Sequence, residues 1–267
     1  MTALRHVLGV SGGKDSAALA VYLRDKIPQM EYFFCDTGAE LKETYAYLDK
    51  LEAYLSKPIA RLNSERTFEH WMELYRGTLP SPQMRWCTKQ LKLKPLEAWL
   101  GDDPAYSYVA IRSDEHREGY ISTKENLTSI FPFREDGIDM EGVMKILHTA
   151  GLGLPAYYEW RSRSGCYFCF FQRKAEWVRL AERHPDDFQK AVDIEKKIRY
   201  EQTAMQERQY TWSQGETLEE LIARKDDILR DEAEKQQRDR LNRKRIPLVD
   251  ALAPEEDEDQ PCLICHL

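Results

Sequence analysis

Blocks of hydrophobic and polar positions alternate along the first half of the chain. Apolar runs of strand length occupy residues 5–10, 31–35 and 58–62. Between them, residues 14–26 and 40–55 place apolar side chains at helical spacing. Strands that alternate with helices of about a dozen residues are typical of parallel βαβ units. The pattern therefore predicts an α/β fold built on a parallel twisted sheet.

Two later strands are predicted at residues 106–111 and 127–133, after which the chain becomes richer in Glu, Lys, Gln and Arg. From this change we expect a sheet domain over 1–138, a helical region over 139–246 and an acidic tail over 247–267. Helical spacing in the second half is found at 139–150, 172–183, 185–208 and 216–244.

Composition excludes several classes of protein. The 267 residues include 39 basic and 46 acidic side chains, for a net charge of −7, which leaves room for a local basic groove. No apolar run approaches the ~18 residues of a membrane span, and the first residues lack the apolar stretch of a signal peptide. We expect a cytoplasmic protein without a membrane partner, whose six cysteines are thiols or metal ligands.

A glycine-containing loop between the first strand and the first helix is the strongest chemical signal. Its glycines let the backbone approach a ligand closely, and the helix that follows presents its N-terminus to an anion. Lys14 adds a charge, and Asp15 either caps the helix or assists the placement of Mg²⁺. The loop is not a Walker A motif, which requires G-x-x-x-x-G-K-[ST]. The residues are Ser11, Gly12, Gly13, Lys14, Asp15 and Ser16.

This loop resembles the pyrophosphate loop of the ATP pyrophosphatase (PP-loop) superfamily. The chain is most similar to the phosphoadenosine-phosphosulfate reductase-like branch, over roughly residues 5–185. The resemblance implies a Rossmann-like sheet of the adenine nucleotide α-hydrolase type with a helical C-terminal region. It also implies ATP and Mg²⁺ as cofactors. The supporting motifs, in the family's order, are Cys35-Asp36-Thr37-Gly38-Ala39-Glu40, Trp86-Cys87-Thr88-Lys89, Ile111–Arg117 and Cys166-x-x-Cys169.

The resemblance assigns a role to each matched position. Catalysis falls to Lys14, Asp15 and Ser16. Arg117 and Lys89 are expected to contact the acceptor or its phosphate. The expected ATP-binding residues are Ser11, Gly12, Gly13, Lys14, Asp15, Ser16, Asp36, Thr37, Gly38 and Arg112.

Two activities occur in this branch, and the loop distinguishes them. Sulfonucleotide reductases do not cleave ATP, and their loop lacks the lysine that this chain keeps as Lys14. A lysine there would neutralise the charge that develops on departing pyrophosphate. The reductases also carry a catalytic cysteine in a Glu-Cys-Gly-[Ile/Leu]-His setting, which the tail from Cys262 to His266 matches poorly. We therefore expect cleavage of ATP to AMP and pyrophosphate.

Within the branch, the chain is most similar to the ATP pyrophosphatase subunit of bacterial DNA phosphorothioation systems. That resemblance implies adenylation of a DNA backbone phosphate and replacement of an oxygen by sulfur. The implied partners are a cysteine desulfurase as sulfur donor, DNA as acceptor and other subunits of a modification complex. Three alternatives remain: a phosphosulfate reductase, a tRNA sulfurtransferase, and a regulatory subunit that binds a nucleotide without turnover.

The cysteines allow three arrangements. The C-x₂-C pair Cys166 and Cys169 could join Cys87 in holding a [4Fe–4S] cluster, as in the family's cluster-containing reductases. Zinc could instead bind this pair together with Cys262 and Cys265. In the third arrangement the thiols hold no metal, and one of them carries a persulfide. The cluster is favoured.

Aromatic and basic residues surround the C-x₂-C pair. The aromatic cluster over 157–171 is expected to form core rather than to stack on nucleic-acid bases, and Cys35 is expected to be a buried core thiol. Arg161, Arg163, Arg173 and Lys174 would suit the phosphate backbone of DNA.

Overall fold

The computed structural model describes residues 4–117, 125–202 and 211–243. The predicted tail over 247–267, with Cys262 and Cys265, lies outside these ranges. Two compact units are present among the described residues. The first comprises 4–76 and 80–166, and the second comprises 77–79 and the residues from 167 onwards.

A five-stranded parallel sheet forms the centre of the first unit, as predicted. The strand order is β3-β2-β1-β4-β5, and every neighbouring pair is parallel. The last two strands are shorter than predicted: β4 stops at Tyr108, and β5 stops at Ile130 because Pro132 opens a short helix. The strands are β1 (Arg5–Gly9), β2 (Glu31–Asp36), β3 (Ile59–Asn63), β4 (Ala105–Tyr108) and β5 (Leu127–Ile130).

Helices connect these strands. The segment Lys89–Leu93 is a π-helix and Ala156–Glu159 is a 3-10 turn. The α-helices are α1 (Lys14–Leu23), α2 (Lys42–Leu55), α3 (Phe68–Leu74), α4 (Trp86–Thr88), α5 (Lys94–Leu100), α6 (Pro132–Glu135) and α7 (Met140–Thr149).

Hydrophobic cores on both faces of the sheet bury its apolar strands. Leu19 of α1, Leu48 of α2 and Val143 of α7 belong to the larger core. Val7 of β1 packs with Leu96 of α5 in the smaller core. The order of the strands reverses between β1 and β4, and ligands of such sheets bind outside the carboxyl ends of the strands at that reversal. The structure therefore directs attention to the loops after β1 and β4.

Four helices make up most of the second unit. Trp177 is fully buried and Trp212 and Phe168 nearly so, which confirms that the aromatic residue Phe168 is core. The single helix predicted over 216–244 is two helices, the first of which begins with a capping box between Thr217 and Glu220. No helix in the described ranges is long and apolar enough to cross a membrane. The helices are α8 (Lys174–Arg183), α9 (Pro185–Gln202), α10 (Leu218–Ala223) and α11 (Lys225–Arg243).

Candidate functional site

The loop after β1 is closed by hydrogen bonds between its own residues. The Ser11 amide donates to the Ser16 hydroxyl oxygen at 3.1 Å, and that hydroxyl donates to the Gly13 carbonyl at 3.3 Å. Gly12 has a φ of +72°, and a Cβ there would lie 2.6 Å from Cγ2 of Thr44 on α2. The loop therefore requires glycine at position 12 for its backbone conformation and for its close approach to α2.

Helix α1 begins immediately after the loop, at Lys14. Its N-cap, Gly13, supplies no capping side chain. Asp15 is buried in the first turn: one carboxylate oxygen lies 3.2 Å from Nζ of Lys14 and the other 3.1 Å from Nη1 of Arg112. Asp15 does not cap α1, whose N-cap is Gly13. It fixes the positions of two basic groups, and its part in placing Mg²⁺ stays a prediction.

The segment after β4 carries a network of ion pairs. Nε of Arg112 contacts Asp114 at 2.9 Å and its Nη1 contacts Glu115 at 2.7 Å, while Arg117 also pairs with Glu115. Burial opposes the charged form of Arg112. The hydrogen bond to Asp114 and the charges of Asp15 and Glu115 outweigh it, so the pKa of Arg112 is raised. Nη2 of Arg117 is buried without a hydrogen-bond partner. Two arginines predicted to contact phosphates thus lie in one network.

Two adjacent tyrosines of the 3-10 turn contact the glycine loop. The Tyr157 hydroxyl donates to the Gly12 carbonyl at 2.7 Å, and the Lys14 amide donates to the Tyr158 hydroxyl at 3.3 Å. Tyr157 is fully buried, which confirms its predicted place in the core. The sequence does not predict that these tyrosines support the loop, because the loop lies about 145 residues earlier and no motif links the two segments.

Ser164 approaches the same loop from further along the chain. Its hydroxyl donates to the Ser11 hydroxyl at 3.3 Å, and a Cβ on Gly13 would lie 2.9 Å from its Oγ. The second glycine is therefore needed for close packing against Ser164. The segment 155–166 thus contacts the loop through residues near both ends of the segment, Tyr157 and Ser164.

The segment after β2 forms a compact turn. Oδ1 of Asp36 accepts hydrogen bonds from the Gly38 amide at 2.9 Å and the Tyr45 hydroxyl at 2.7 Å. The Thr37 hydroxyl donates to Oε1 of Glu40 at 3.0 Å. The other oxygen of Glu40 is buried without a partner. The hydrogen bonds of Asp36 orient the turn, and the carboxylate of Glu40 points towards a thiol from segment 155–166.

That thiol belongs to Cys166. Its sulfur lies 3.0 Å from Oγ1 of Thr37 and 3.5 Å from Oε1 of Glu40. The guanidinium of Arg161, which is only 2% exposed, donates to the carbonyls of Gly165 and Cys166, each at 2.9 Å. The prediction that Arg161 contacts DNA is therefore wrong, because its charge is buried and holds the backbone of the thiol in place.

The predicted metal site is not supported. Throughout the described part of the chain, no group of three His, Cys, Asp or Glu side chains is arranged to hold a metal ion. Cys87, Cys166 and Cys169 are thiols of intermediate exposure, and Cys166 is held by Thr37 and Glu40 instead. The described residues therefore do not support the [4Fe–4S] cluster expected at these three cysteines. The zinc alternative involves Cys262 and Cys265, which lie outside the described residues.

A small pocket that is partly open to solvent adjoins the loop. Burial raises the pKa of the Cys35 thiol to about 11, which confirms it as a core thiol. The pocket is lined by Ser11, Phe34, Cys35, Glu40, Lys92, Ser164 and Gly165.

Lys89, which was predicted to contact the acceptor, is exposed at the start of the π-helix.

Comparison with known families agrees with this fold. Residues 5–128 match the family model for the phosphoadenosine phosphosulfate reductase domain. In the solved phosphate complex of phosphoadenylyl-sulfate reductase from Candida auris, a similar fold covers 62% of this chain and 82% of that one. The TM-score is 0.50 at 12% sequence identity. This likeness supports the α/β fold described above.

Curated relatives extend the comparison. An uncharacterized protein of Methanocaldococcus jannaschii is 26% identical over 215 residues, which are 76% of this chain and 51% of that protein. The tRNA-specific 2-thiouridylase MnmA of Actinobacillus pleuropneumoniae is 29% identical over 127 residues, or 42% of this chain and 32% of the enzyme. The chain spans about half the length, or less, of these relatives. Together the matches support the PP-loop family, and they do not identify a DNA phosphorothioation subunit.

Proposed function

We propose that this protein is an ATP pyrophosphatase that activates an acceptor for sulfur insertion, and that the acceptor is a DNA backbone phosphate. One observation carries the proposal. A complete Ser-Gly-Gly-Lys-Asp-Ser loop at the reversal point of the sheet is hydrogen bonded, through Ser164, to the segment that ends in the Cys166 thiol. The loop that we expect to bind the anion and the Cys166 thiol thus lie at the same end of the sheet.

The loop suits the departure of pyrophosphate. An oxygen of the acceptor attacks the α-phosphorus of ATP, the bond to the β-phosphate breaks, and pyrophosphate leaves. The amides at the start of α1 and the Lys14 ammonium stabilise the charge that develops on it. Asp15 holds Lys14 and Arg112 in place for this task. Mg²⁺ would enter with the phosphates of ATP and would help to neutralise the charge on the departing pyrophosphate.

Sulfur enters in the second step. The outer sulfur of a protein persulfide attacks the adenylated phosphorus, and the bond to AMP breaks. A dithiol reductant then cleaves the sulfur–sulfur bond, which leaves the outer sulfur on phosphorus and restores the protein thiol. This activation is required because a phosphate oxygen is a very poor leaving group. Of the four described thiols, Cys166 is the one joined to the loop by its own segment, and it contacts Thr37 and Glu40. We infer that Cys166 presents sulfur delivered by a cysteine desulfurase.

A second candidate is the transfer of sulfur to tRNA. It is favoured by the similarity of about two fifths of the chain to tRNA-specific 2-thiouridylases. The same activation chemistry would serve, with a nucleoside oxygen in place of the phosphate oxygen. A phosphosulfate reductase is less compatible with the chain, because the loop keeps Lys14. The identity of the acceptor therefore distinguishes the two candidate functions.

The full chain is incubated with MgATP, a cysteine desulfurase, ³⁵S-cysteine, a dithiol reductant and either DNA or tRNA. The proposal predicts ³⁵S in the DNA backbone, with pyrophosphate formed in proportion. Label in tRNA alone would select the second candidate. Sulfite from added phosphoadenylyl sulfate would identify a reductase, and the absence of turnover with every substrate would indicate a regulatory subunit.

A matched pair of variants tests the part played by Cys166. Cys166→Ser should abolish the transfer of ³⁵S while pyrophosphate release persists, because only the step that delivers sulfur needs the thiol. Cys35→Ala removes a buried thiol of the core and should retain the transfer of label. Equal transfer by the Cys166→Ser variant and the wild type would remove Cys166 from the mechanism.

A further inference from the structure

The 3-10 turn Ala156–Glu159 places an aromatic ring beside the lysine of the loop. The centroid of the Tyr158 ring lies 5.3 Å from Nζ of Lys14, and the hydroxyl of the same residue accepts the Lys14 amide hydrogen at 3.3 Å. Tyr158 therefore contacts the backbone and the charged end of one lysine. Its neighbour Tyr157 has a different partner, the carbonyl of Gly12.

We propose that Tyr158 is a positioning residue for Lys14, an inference that rests on the proposed function. A lysine side chain has four rotatable methylene groups and loses much rotamer entropy when its ammonium is fixed. The face of an aromatic ring attracts an ammonium. Tyr158 and the Asp15 carboxylate, 3.2 Å from Nζ, hold the charge between them.

The aromatic ring has an advantage over a second carboxylate in this position. An ammonium has three hydrogen-bond donors, and Asp15 accepts one of them. A ring attracts the charge without providing an oxygen acceptor, so Tyr158 does not add a negative group that would compete with phosphate. Tyr158 thus fixes the ammonium while leaving donors for pyrophosphate.

The neighbouring tyrosine, Tyr157, does not share this role. Tyr157 is fully buried and its hydroxyl satisfies the Gly12 carbonyl, so its function is to support the loop. Hydrogen bonds hold the backbone of the loop, and the ring of Tyr158 acts on the Lys14 side chain. These two contributions are separable by mutation.

The test is a double-mutant cycle on the binding of inorganic pyrophosphate, followed by ³¹P NMR so that weak binding remains measurable. Tyr158→Phe keeps the ring and should change affinity by less than about threefold. Tyr158→Leu removes it and should weaken binding by about 3- to 30-fold, the range expected for a cation–π contact. In a Lys14→Met background, the Phe and Leu variants should bind equally, because the group on which the ring acts is gone.

A control and two adverse outcomes complete the test. Tyr22 forms the same kind of contact with Lys26 at the other end of α1, with Nζ 3.5 Å from the ring centroid, and Tyr22→Leu should leave the affinity unchanged. If Tyr158→Leu binds like the wild type, or loses as much in the Lys14→Met background, the positioning role is wrong and the proposed function stands. If the wild type does not bind pyrophosphate, the proposed function itself fails.

Discussion

Buried acidic groups are used differently in the two units. In the first unit, Asp15 has one oxygen near Lys14 and the other near Arg112, beside the start of a helix whose N-cap provides no side chain. In the second unit, Glu195 accepts hydrogen bonds from the backbone amides of Trp212 and Leu218, at 2.9 and 2.8 Å. The first arrangement orients cations, whereas the second satisfies the backbone.

This difference separates function from stability. A carboxylate bound to backbone amides completes the folding of its neighbourhood and leaves little for a ligand to use. A carboxylate that fixes two basic side chains beside a helix N-terminus orders cationic hydrogen-bond donors there, an arrangement that suits an anion. Mutations in the two units should therefore change different measured quantities.

The largest expected effect is on activity, from Lys14→Ala. Loss of the ammonium removes a group that stabilises departing pyrophosphate, and we expect pyrophosphate formation from ATP to fall about 10²- to 10³-fold. Lys26→Ala is the matched control, since Lys26 is about half exposed on the segment that follows α1. If the folded Lys14→Ala protein stays within tenfold of the wild type, the loop is not catalytic.

In the second unit, Glu195→Ala should lower the free energy of unfolding by an amount comparable to the activation free energy lost in Lys14→Ala. The variant leaves two buried backbone amides without their acceptor, which should cost about 2–4 kcal/mol in urea unfolding. Pyrophosphate affinity of the folded protein should be unchanged. A variant that remains fully stable but binds pyrophosphate more weakly would contradict the division of roles between the units.

A smaller effect is expected for Gly12→Ala in the loop. The left-handed backbone costs about 1–2 kcal/mol for alanine, and the new methyl group would meet Thr44 at 2.6 Å. Gly38→Ala is the control, because its φ is also +72° and its Cβ would meet no atom within 4 Å. Urea unfolding should show a greater loss of stability for Gly12→Ala than for Gly38→Ala. Equal losses would mean that contact with Thr44 is unimportant.

The smallest effect is a dependence on pH in the second unit. Hydrogen bonds from Arg224 and Lys174 lower the pKa of Glu216 from 4.5 to about 2, against the opposing effect of burial. The folded state therefore gains stability from this carboxylate above pH 4.5 and loses it as the pH falls towards 2. Because both basic partners are more than 40% exposed, the gain should be at most about 1 kcal/mol.

Thermal melts of Glu216→Gln at several pH values measure this contribution. The variant should melt at a lower temperature than the wild type at pH 7, and the difference should narrow by pH 3. A constant difference across this range would show that the charge of Glu216 has no part in it.

The sequence predicted the parallel sheet because runs of strand length, of which β2 is the most apolar, alternate with segments of helical spacing. It also predicted the glycine loop, whose six residues are contiguous and whose glycines are required by contacts with Thr44 and Ser164. The break at Arg224 between α10 and α11 was missed, since both segments keep helical spacing.

The rest of the site could not be predicted because it depends on contacts between distant segments. The approach of Tyr158 to Lys14 spans 144 positions, and that of Cys166 to Thr37 spans 129. The expected metal site lacks support among the described residues for the same reason. The C-x₂-C spacing is compatible with a metal, but the neighbours of the Cys166 thiol are a hydroxyl and a carboxylate.

The bond that is broken in ATP tests the central claim most directly. The full chain would be incubated with acceptor DNA, a cysteine desulfurase, cysteine, a dithiol reductant and ATP labelled at either the α- or the γ-phosphate, and the products would be separated chromatographically. Cleavage by the glycine loop predicts α-label in AMP and γ-label in pyrophosphate, in equal amounts. The appearance of α-label in ADP and γ-label in orthophosphate would contradict the assignment.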